Sequence, residues 1–234
     1  MTDLQRYLRP FGLTHPARMV VRRGAELLTR AQGRYLQGRV LDIGCGLKTK
    51  RHLVGDQVTA YVGLDHADSL HDMSQVDLIG TAYGIPQPDE CFDGILCTAV
   101  LEHLEDPKAA LLESIRVLKP AGHAIYTVPL FWHLHEEPRD FYRYTKHGLR
   151  HLFETAGYEV VGIEPASGFW ITFGSELSYY LNALAPGPLR LVARMLTAVN
   201  NLVFPWLDRV DRAFNRQSAL FTWMYLVVAR KPVR

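Results

Sequence analysis

From residue 39 onward the apolar positions come in short unbroken runs, separated by polar, glycine-bearing stretches. Runs that are apolar on both faces read as strands covered by helices on either side, the habit of parallel sheets. Strands are predicted over residues 39–43, 59–64, 76–79, 92–97, 122–128 and 158–164. Between them the spacing turns helical. Asp106 and Pro107 form a cap and a first helical residue, and Ala109, Leu111, Leu112, Ile115 and Val117 carry that pattern to Pro120. Thr145 caps another helix with Leu149, Leu152 and Phe153, which stops at Gly157. Residues 16–32 mix Met19, Val20, Val21, Leu27 and Leu28 with Arg18, Arg22, Arg23 and Glu26, an amphipathic helix that covers the sheet or the ligand mouth. The stretches 47–60 and 65–76 are too short for full crossover helices, so loops are expected there.

The first strand runs into a glycine turn, Val40-Leu-Asp-Ile-Gly-Cys-Gly46, and the second, Tyr61-Val-Gly-Leu-Asp65, ends in a carboxylate. Gly44 and Gly46 let the backbone bend tightly and approach a ligand, while Asp65 is placed to accept hydrogen bonds from a ribose diol. A nucleoside held across strand ends is the implied ligand. A dinucleotide fingerprint requires a third glycine to seat a pyrophosphate, and Thr49 stands there. Asp42, two residues before the first glycine, suits a ligand with a cationic or amino end.

These residues resemble the class I S-adenosylmethionine-dependent methyltransferases, in the small single-domain branch called methyltransferase type 11. The likeness covers residues 40–165 through Leu41-Asp-Ile-Gly-Cys-Gly46, Tyr61-Val-Gly-Leu-Asp65, Ala82-Tyr-Gly-Ile-Pro86, Phe92-Asp-Gly-Ile-Leu-Cys97, Val100-Leu-Glu-His-Leu104, Arg116-Val-Leu-Lys-Pro120 and Ala124-Ile-Tyr-Thr-Val-Pro129. It implies an α/β, Rossmann-like doubly wound sheet of seven strands, the last antiparallel, with S-adenosyl-L-methionine as cofactor. By the resemblance Asp42, Gly44 and Gly46 line the methionine end and Asp65 the ribose, with Cys45 a further cofactor contact, while Thr81 and Ala82 face adenine and Thr98 and Ala99 edge the sulfonium. Three positions depart from the family pattern: Thr81 replaces a frequent carboxylate, Lys48 a frequent glycine, and Ala121-Gly122 a pair of glycines.

After the fifth strand, residues 131–145 crowd aromatic and hydrogen-bonding groups at the ligand edge of the sheet. The same branch often shows the pattern matched here by His135, Pro138, Asp140, Arg143, Tyr144 and Thr145. The acceptor site is expected on this loop, with His133, Asp140, Arg143 and Tyr144 as substrate contacts; alternatively Asp140 and Arg143 pair only to hold the loop. For a hydroxyl acceptor a general base is needed, with His135 first and His103 second. His103 has a second reading, bonded to backbone at a strand-to-helix turn, and Glu102 is expected in solvent or on a neighbouring amide. No metal is expected, since His133, His135 and Asp140 lack a further ligand at fixed spacing. Tyr142 and Lys146 match a dehydrogenase pair only by coincidence, because Thr145 caps a helix between them.

A formal net charge of +2, without a basic run at either terminus, gives no support to nucleic-acid binding. Cys45, Cys91 and Cys97 lack a Cys-x-x-Cys pair and read as buried thiols in a reducing cytoplasm, and no secretory signal is visible. One domain is expected, divided into an N-terminal helical segment 1–35, a cofactor core 36–166, a helical insertion 167–219 and a final strand with tail 220–234. Past Pro188 the apolar residues from Leu191 to Val210 recur at helical spacing, with Arg190, Arg194, Thr197 and Asn201 opposite and a kink expected at Pro205. Two arginines, two asparagines and a proline argue against a membrane span. A lid, a homodimer face and a peripheral membrane contact through residues 189–210 at the inner membrane face remain open uses. The expected function is methyl transfer to a small-molecule or lipid-linked acceptor; an NAD(P)-dependent oxidoreductase and a catalytically idle cofactor-binding protein are the alternatives.

Overall fold

The computed structural model describes residues 3–69 and 72–233. The helices are α1 (Asp3–Leu8), α2 (Arg18–Tyr35), α3 (Pro107–Val117), α4 (Lys146–Thr155), α5 (Phe169–Leu184) and α6 (Leu189–Phe214). The strands are β1 (Gly38–Ile43), β2 (Val58–Asp65), β3 (Leu78–Ile79), β4 (Phe92–Thr98), β5 (Leu118–Pro129), β6 (Glu159–Pro165) and β7 (Met224–Arg230). The chain divides into two compact units. One holds Leu28–Pro129, Leu134–Glu164 and Tyr225–Arg234; the other holds Met1–Leu27, Leu130–His133 and Pro165–Met224.

In the first unit the strands make one sheet in the order β3-β2-β1-β4-β5-β7-β6. β1 pairs in parallel with β2 and β4, and β4 with β5. β7 is antiparallel: the Lys231 backbone bonds to Ala121 and Gly122, and Leu130 bonds to Trp223, so rising numbers on one strand meet falling numbers on the other. Val40, Leu41, Phe92, Ile95, Leu96 and Ile125 are all buried, including sequence neighbours that point to opposite faces. The unbroken apolar runs thus reflect a sheet covered on both sides.

Local chemistry sets the boundaries. Asp106 Oδ1 accepts from the Ala109 amide at 3.0 Å and Thr145 Oγ1 from the Gly148 amide at 3.1 Å, capping α3 and α4. Lys146 is therefore the first residue of α4, while Tyr142 lies outside it. A single 3-10 segment, Thr49–Leu53, stands where a crossover helix is missing. β3 is shorter than the expected 76–79: ladder pairing begins at Leu78, and at Asp77 the amide donates to the Gly63 carbonyl at 3.0 Å while the carboxylate, not a backbone carbonyl, takes the Gly63 amide at 2.7 Å.

Ala121 has φ 61°, a left-handed conformation that costs an alanine about 1 kcal/mol relative to glycine. It is exposed and lies away from the cavity described below. Ala121→Gly is expected to raise unfolding free energy by about 1 kcal/mol, visible as a higher denaturant midpoint at unchanged slope.

The second unit packs Ala17, Met19, Val20 and Ile171 with Phe11, Trp132, Tyr179, Phe204 and Trp223. α5 and α6 approach closely because residue 174 is glycine; a Cβ there would collide with the Phe204 ring. Asn182 Nδ2 donates to Thr197 Oγ1 at 2.8 Å and Asn200 Nδ2 to Ser178 Oγ at 3.1 Å, tying the two helices together. Gly168 has no capping side chain, so Asp208 of α6 serves the start of α5, accepting from the Gly168 and Ile171 amides at 3.1 and 3.3 Å. Leu191, Met195, Leu202 and Trp206 of α6 are exposed. Among the described residues, no helix is long and apolar enough to cross a membrane.

Candidate active site

The sheet order reverses between β1 and β4, and in open α/β sheets the crevice outside such a switch point receives ligands. A cavity of about 1010 Å³ opens there, at the carboxyl ends of β1, β2 and β4. Asp42, Gly44, Cys45, Gly46, Asp65, Thr81, Ala82, Thr98, Ala99 and His103 all line it. The nine expected cofactor contacts are therefore gathered around one space, together with one of the two expected bases.

The floor is a backbone bend fastened to β2. The Gly44 and Cys45 amides donate to the Leu64 carbonyl at 2.9 and 3.1 Å, and the Gly46 amide donates to Asp65 Oδ2 at 2.9 Å. Gly44 has φ 71°, and a Cβ on it would collide with Val100 Cγ2, so the turn requires glycine on both steric and torsional grounds. Lys48 is turned away to pair with Asp77. Cys45 stays a thiol: burial first, then the Asp42 and Asp65 carboxylates, push it up to about 12.

Asp42 is buried at the end of β1 and accepts from Tyr61 Oη at 2.6 Å, but its Oδ1 has no hydrogen-bond partner. Burial, against the Tyr61 bond and the charges of Lys50 and Lys48, pushes its carboxyl up to about 6. An orphaned buried carboxylate oxygen is costly unless a cation or donor reaches it. The described lining as a whole is acidic, with Asp42, Asp65, Asp68, Asp72, Glu105, Glu136 and Glu137 against Lys50 and Arg139 as permanent cations. That balance repels a pyrophosphate and favours a ligand carrying ammonium or sulfonium charge. The residues present therefore fit S-adenosylmethionine and do not fit a dinucleotide.

On the far wall, the 3-10 turn Leu101–His103 carries a compact polar group. His103 Nδ1 lies 2.6 Å from the Arg139 carbonyl and donates to it, leaving Nε2 as an acceptor that is buried without a partner. The His135 ring meets the His103 ring edge-on, with centroids 4.8 Å apart, and His135 Nδ1 lies 3.4 Å from Asp140 Oδ2. His103 faces the cavity, whereas His135 is absent from its lining and stands behind.

Glu102 corrects the expectation of a solvated carboxylate. It is 1% exposed, its Oε2 has no partner, and burial pushes its carboxyl up to about 8. Its backbone carbonyl accepts from the Phe141 and Tyr142 amides at 2.9 and 3.2 Å, so the turn and the 131–145 loop are stitched together there.

The remaining expected contacts lie elsewhere. Asp140 and Arg143 form a two-pronged pair at 2.6 and 2.8 Å, and neither lines the cavity. The guanidinium holds the Asp140 carboxyl well below the usual carboxylate range. Tyr144 is buried and donates to the Leu101 carbonyl at 3.0 Å, another brace for the same turn. His133 belongs to the second unit, where its Nδ1 sits 3.1 Å from Glu176. Glu136, Pro138, Arg139 and Phe141 of the loop line the cavity instead.

A methyltransferase-domain family profile matches residues 15–163. Over 110 residues the chain is 31% identical to a demethylmenaquinone methyltransferase of Renibacterium salmoninarum, covering 44% of this chain and 46% of that protein. Over 136 residues it is 24% identical to a ubiquinone biosynthesis O-methyltransferase of Aliivibrio fischeri, covering 53% and 56%. The chain thus spans about half the length of these curated relatives. Among solved structures, the [4+2]-cyclase SpnF superposes with a TM-score of 0.59 at 21% identity, over 91% of this chain and 81% of that one. That likeness concerns the fold, and a cyclase on the same fold shows that the site must decide the chemistry.

Proposed function

This chain belongs to the methyltransferase-domain family, and from that premise we propose that it transfers a methyl group from S-adenosylmethionine to a hydroxyl on a small or lipid-linked acceptor. The observation that carries the reading is the orphaned Asp42 Oδ1 beside the Gly44-Cys45-Gly46 bend, in a cavity whose acidic lining suits a cationic adenosyl ligand. S-adenosylmethionine supplies an electrophilic methyl carbon when bound. The chain's own work is to align and to remove a proton.

Asp65 accepts from the ribose diol with the lone pairs left over from the Gly46 and His66 amides. Asp42 meets the ammonium end. Thr98 and Ala99, at the end of β4, bound the space where the methyl group would sit. Opposite them His103 offers Nε2 to the acceptor hydroxyl, and His135 backs it. Asp140, Arg143 and Tyr144 act on the acceptor side as positioning residues, through the loop they brace.

One relative is named for a demethylated quinone and another for O-methylation in ubiquinone biosynthesis; the first supports a quinone-type ring and the second a hydroxyl as acceptor. The exposed apolar face of α6, with Trp206 on it and Arg190 and Arg194 in the first turns of the same helix, supports an acceptor that resides in a membrane, with the protein peripheral at its cytoplasmic face. Incubation with methyl-labelled S-adenosylmethionine and a lipid extract should place label in a ring-containing lipid. Label confined to protein or nucleic acid would overturn the acceptor class.

The state of Asp42 makes cofactor affinity depend on pH. Between the ordinary carboxylate value near 3.8 and about 6, the empty folded protein holds a proton that the unfolded chain has released, so ligand-free stability falls as pH rises across that window. A cationic ligand prefers the ionised form and reverses the preference. Affinity for S-adenosylmethionine is therefore expected to be flat above about pH 7 and about tenfold weaker at pH 5. Asp42→Asn should bind weakly throughout and lose this pH dependence, which calorimetry at matched ionic strength would reveal.

A further inference from the structure

Glu102, His103 and His135 each offer a ligand atom within 4.8 Å of the others. Two atoms in this group, Glu102 Oε2 and His103 Nε2, are buried and have no hydrogen-bond partner. His103 Nε2 also lies 3.9 Å from Glu102 Oε1, too far for a hydrogen bond and close enough for one ion to bridge both. A fold that buries a carboxylate oxygen and an imidazole lone pair side by side, giving neither a donor, leaves a place for a cation.

We propose that Glu102, His103 and His135 bind a divalent transition-metal ion of the zinc type at the acceptor end of the cavity. Two imidazoles and one carboxylate make a borderline nitrogen and oxygen donor set, which selects zinc, cobalt or iron(II) over calcium or magnesium. Ring orientations are already fixed from behind. His103 Nδ1 is held by the Arg139 carbonyl at 2.6 Å, and His135 Nδ1 lies 3.4 Å from Asp140, whose carboxylate is in turn paired with Arg143. Backing by carbonyls and carboxylates is what ligating histidines ordinarily have. Three protein ligands leave a position open, and because His103 lines the cavity that position faces the acceptor.

The inference rests on the proposed methyl transfer to a hydroxyl and refines it. With the ion in place, the His103 lone pair is spent on the metal. The acceptor oxygen binds the open position, and the charge of the ion lowers its pKa, so that its proton is released to solvent before the carbon–oxygen bond forms. Donation from oxygen to the methyl carbon then breaks the carbon–sulfur bond, and the sulfur keeps that electron pair as the neutral thioether. Asp140 and Arg143 become positioning residues for a ligand, which gives that half-buried pair a purpose beyond holding the loop.

Cobalt(II) is the probe, added to the full chain after removal of adventitious metal, with its visible d–d absorption as readout. About one equivalent should saturate a set of bands typical of low coordination number, and Glu102→Gln and His103→Asn should each weaken binding at least about tenfold. His151→Ala, which removes an exposed histidine of α4, should leave the titration unchanged. Absence of bands in the parent protein, or bands that survive both ligand substitutions at parental affinity, would overturn the proposal. Both variants are checked for folding by retained binding of S-adenosylhomocysteine, which does not require the metal. If the parent protein binds cobalt as expected but shows no affinity for S-adenosylhomocysteine, the proposed function fails while the metal site stands.

Discussion

Asp65→Ala is expected to weaken binding of S-adenosylmethionine about a hundredfold, the largest loss from any single side chain outside the glycine bend. Asp65 stands at the end of β2 and does two things. Its Oδ2 holds the Gly46 amide at 2.9 Å and its Oδ1 the His66 amide at 2.9 Å, which fixes the floor of the cavity. Its remaining lone pairs are the ones assigned to the ribose diol in the proposed function. A hydrogen bond to a charged acceptor contributes about 1.5–3 kcal/mol, or roughly 10–150-fold in Kd, and removing the carboxylate also releases a backbone donor inside the cavity. Asp65→Asn keeps one acceptor oxygen and should lose less, about tenfold. Calorimetry on both variants, with circular dichroism as a folding check, separates this from a general loss of structure. Equal affinity in Asp65→Ala and the parent would exclude Asp65 from the cofactor site.

His103→Ala is expected to lower kcat at least about a hundredfold while leaving cofactor affinity within about twofold of the parent. His103 lines the cavity, and its Nε2 is buried and unpartnered. Whether it removes the acceptor proton itself or holds an ion that lowers the acceptor's pKa, kcat should fall together with kcat/KM. His135→Ala should cause a smaller fall, because that ring meets the His103 ring edge-on and is absent from the cavity lining. A fall in kcat/KM with kcat preserved in His103→Ala would reassign it to substrate binding.

The parts of the chain that could be read in advance are those in which one residue type answers one local demand. Glycines at 44 and 46 announce a bend with positive φ, observed at 71° and 46°. Apolar runs announce strands covered on both faces, and Asp106 and Thr145 announce their helices through a capping bond each. What escaped was set by the third dimension. Glu102 reads as an ordinary polar residue, yet its neighbours Leu101 and Leu104 are apolar, and that flanking was the available sign that the turn enters the core. In the loop after β5, a row of chemically able side chains gave no hint of which would turn inward. Asp140, Arg143 and Tyr144 spend their polar atoms on one another and on backbone, and the cavity is lined instead by Glu136, Pro138, Arg139 and Phe141. The Asp77 carboxylate's hold on the Gly63 amide, next to β3, is a side-chain bond that no periodicity encodes.

Cofactor choice is the claim beneath all of these expectations, and a direct titration addresses it. Folded protein titrated in a calorimeter should give saturable heat with S-adenosylmethionine and with S-adenosylhomocysteine at about one equivalent, and none with NAD. Saturable heat with NAD and none with either adenosyl compound would contradict it.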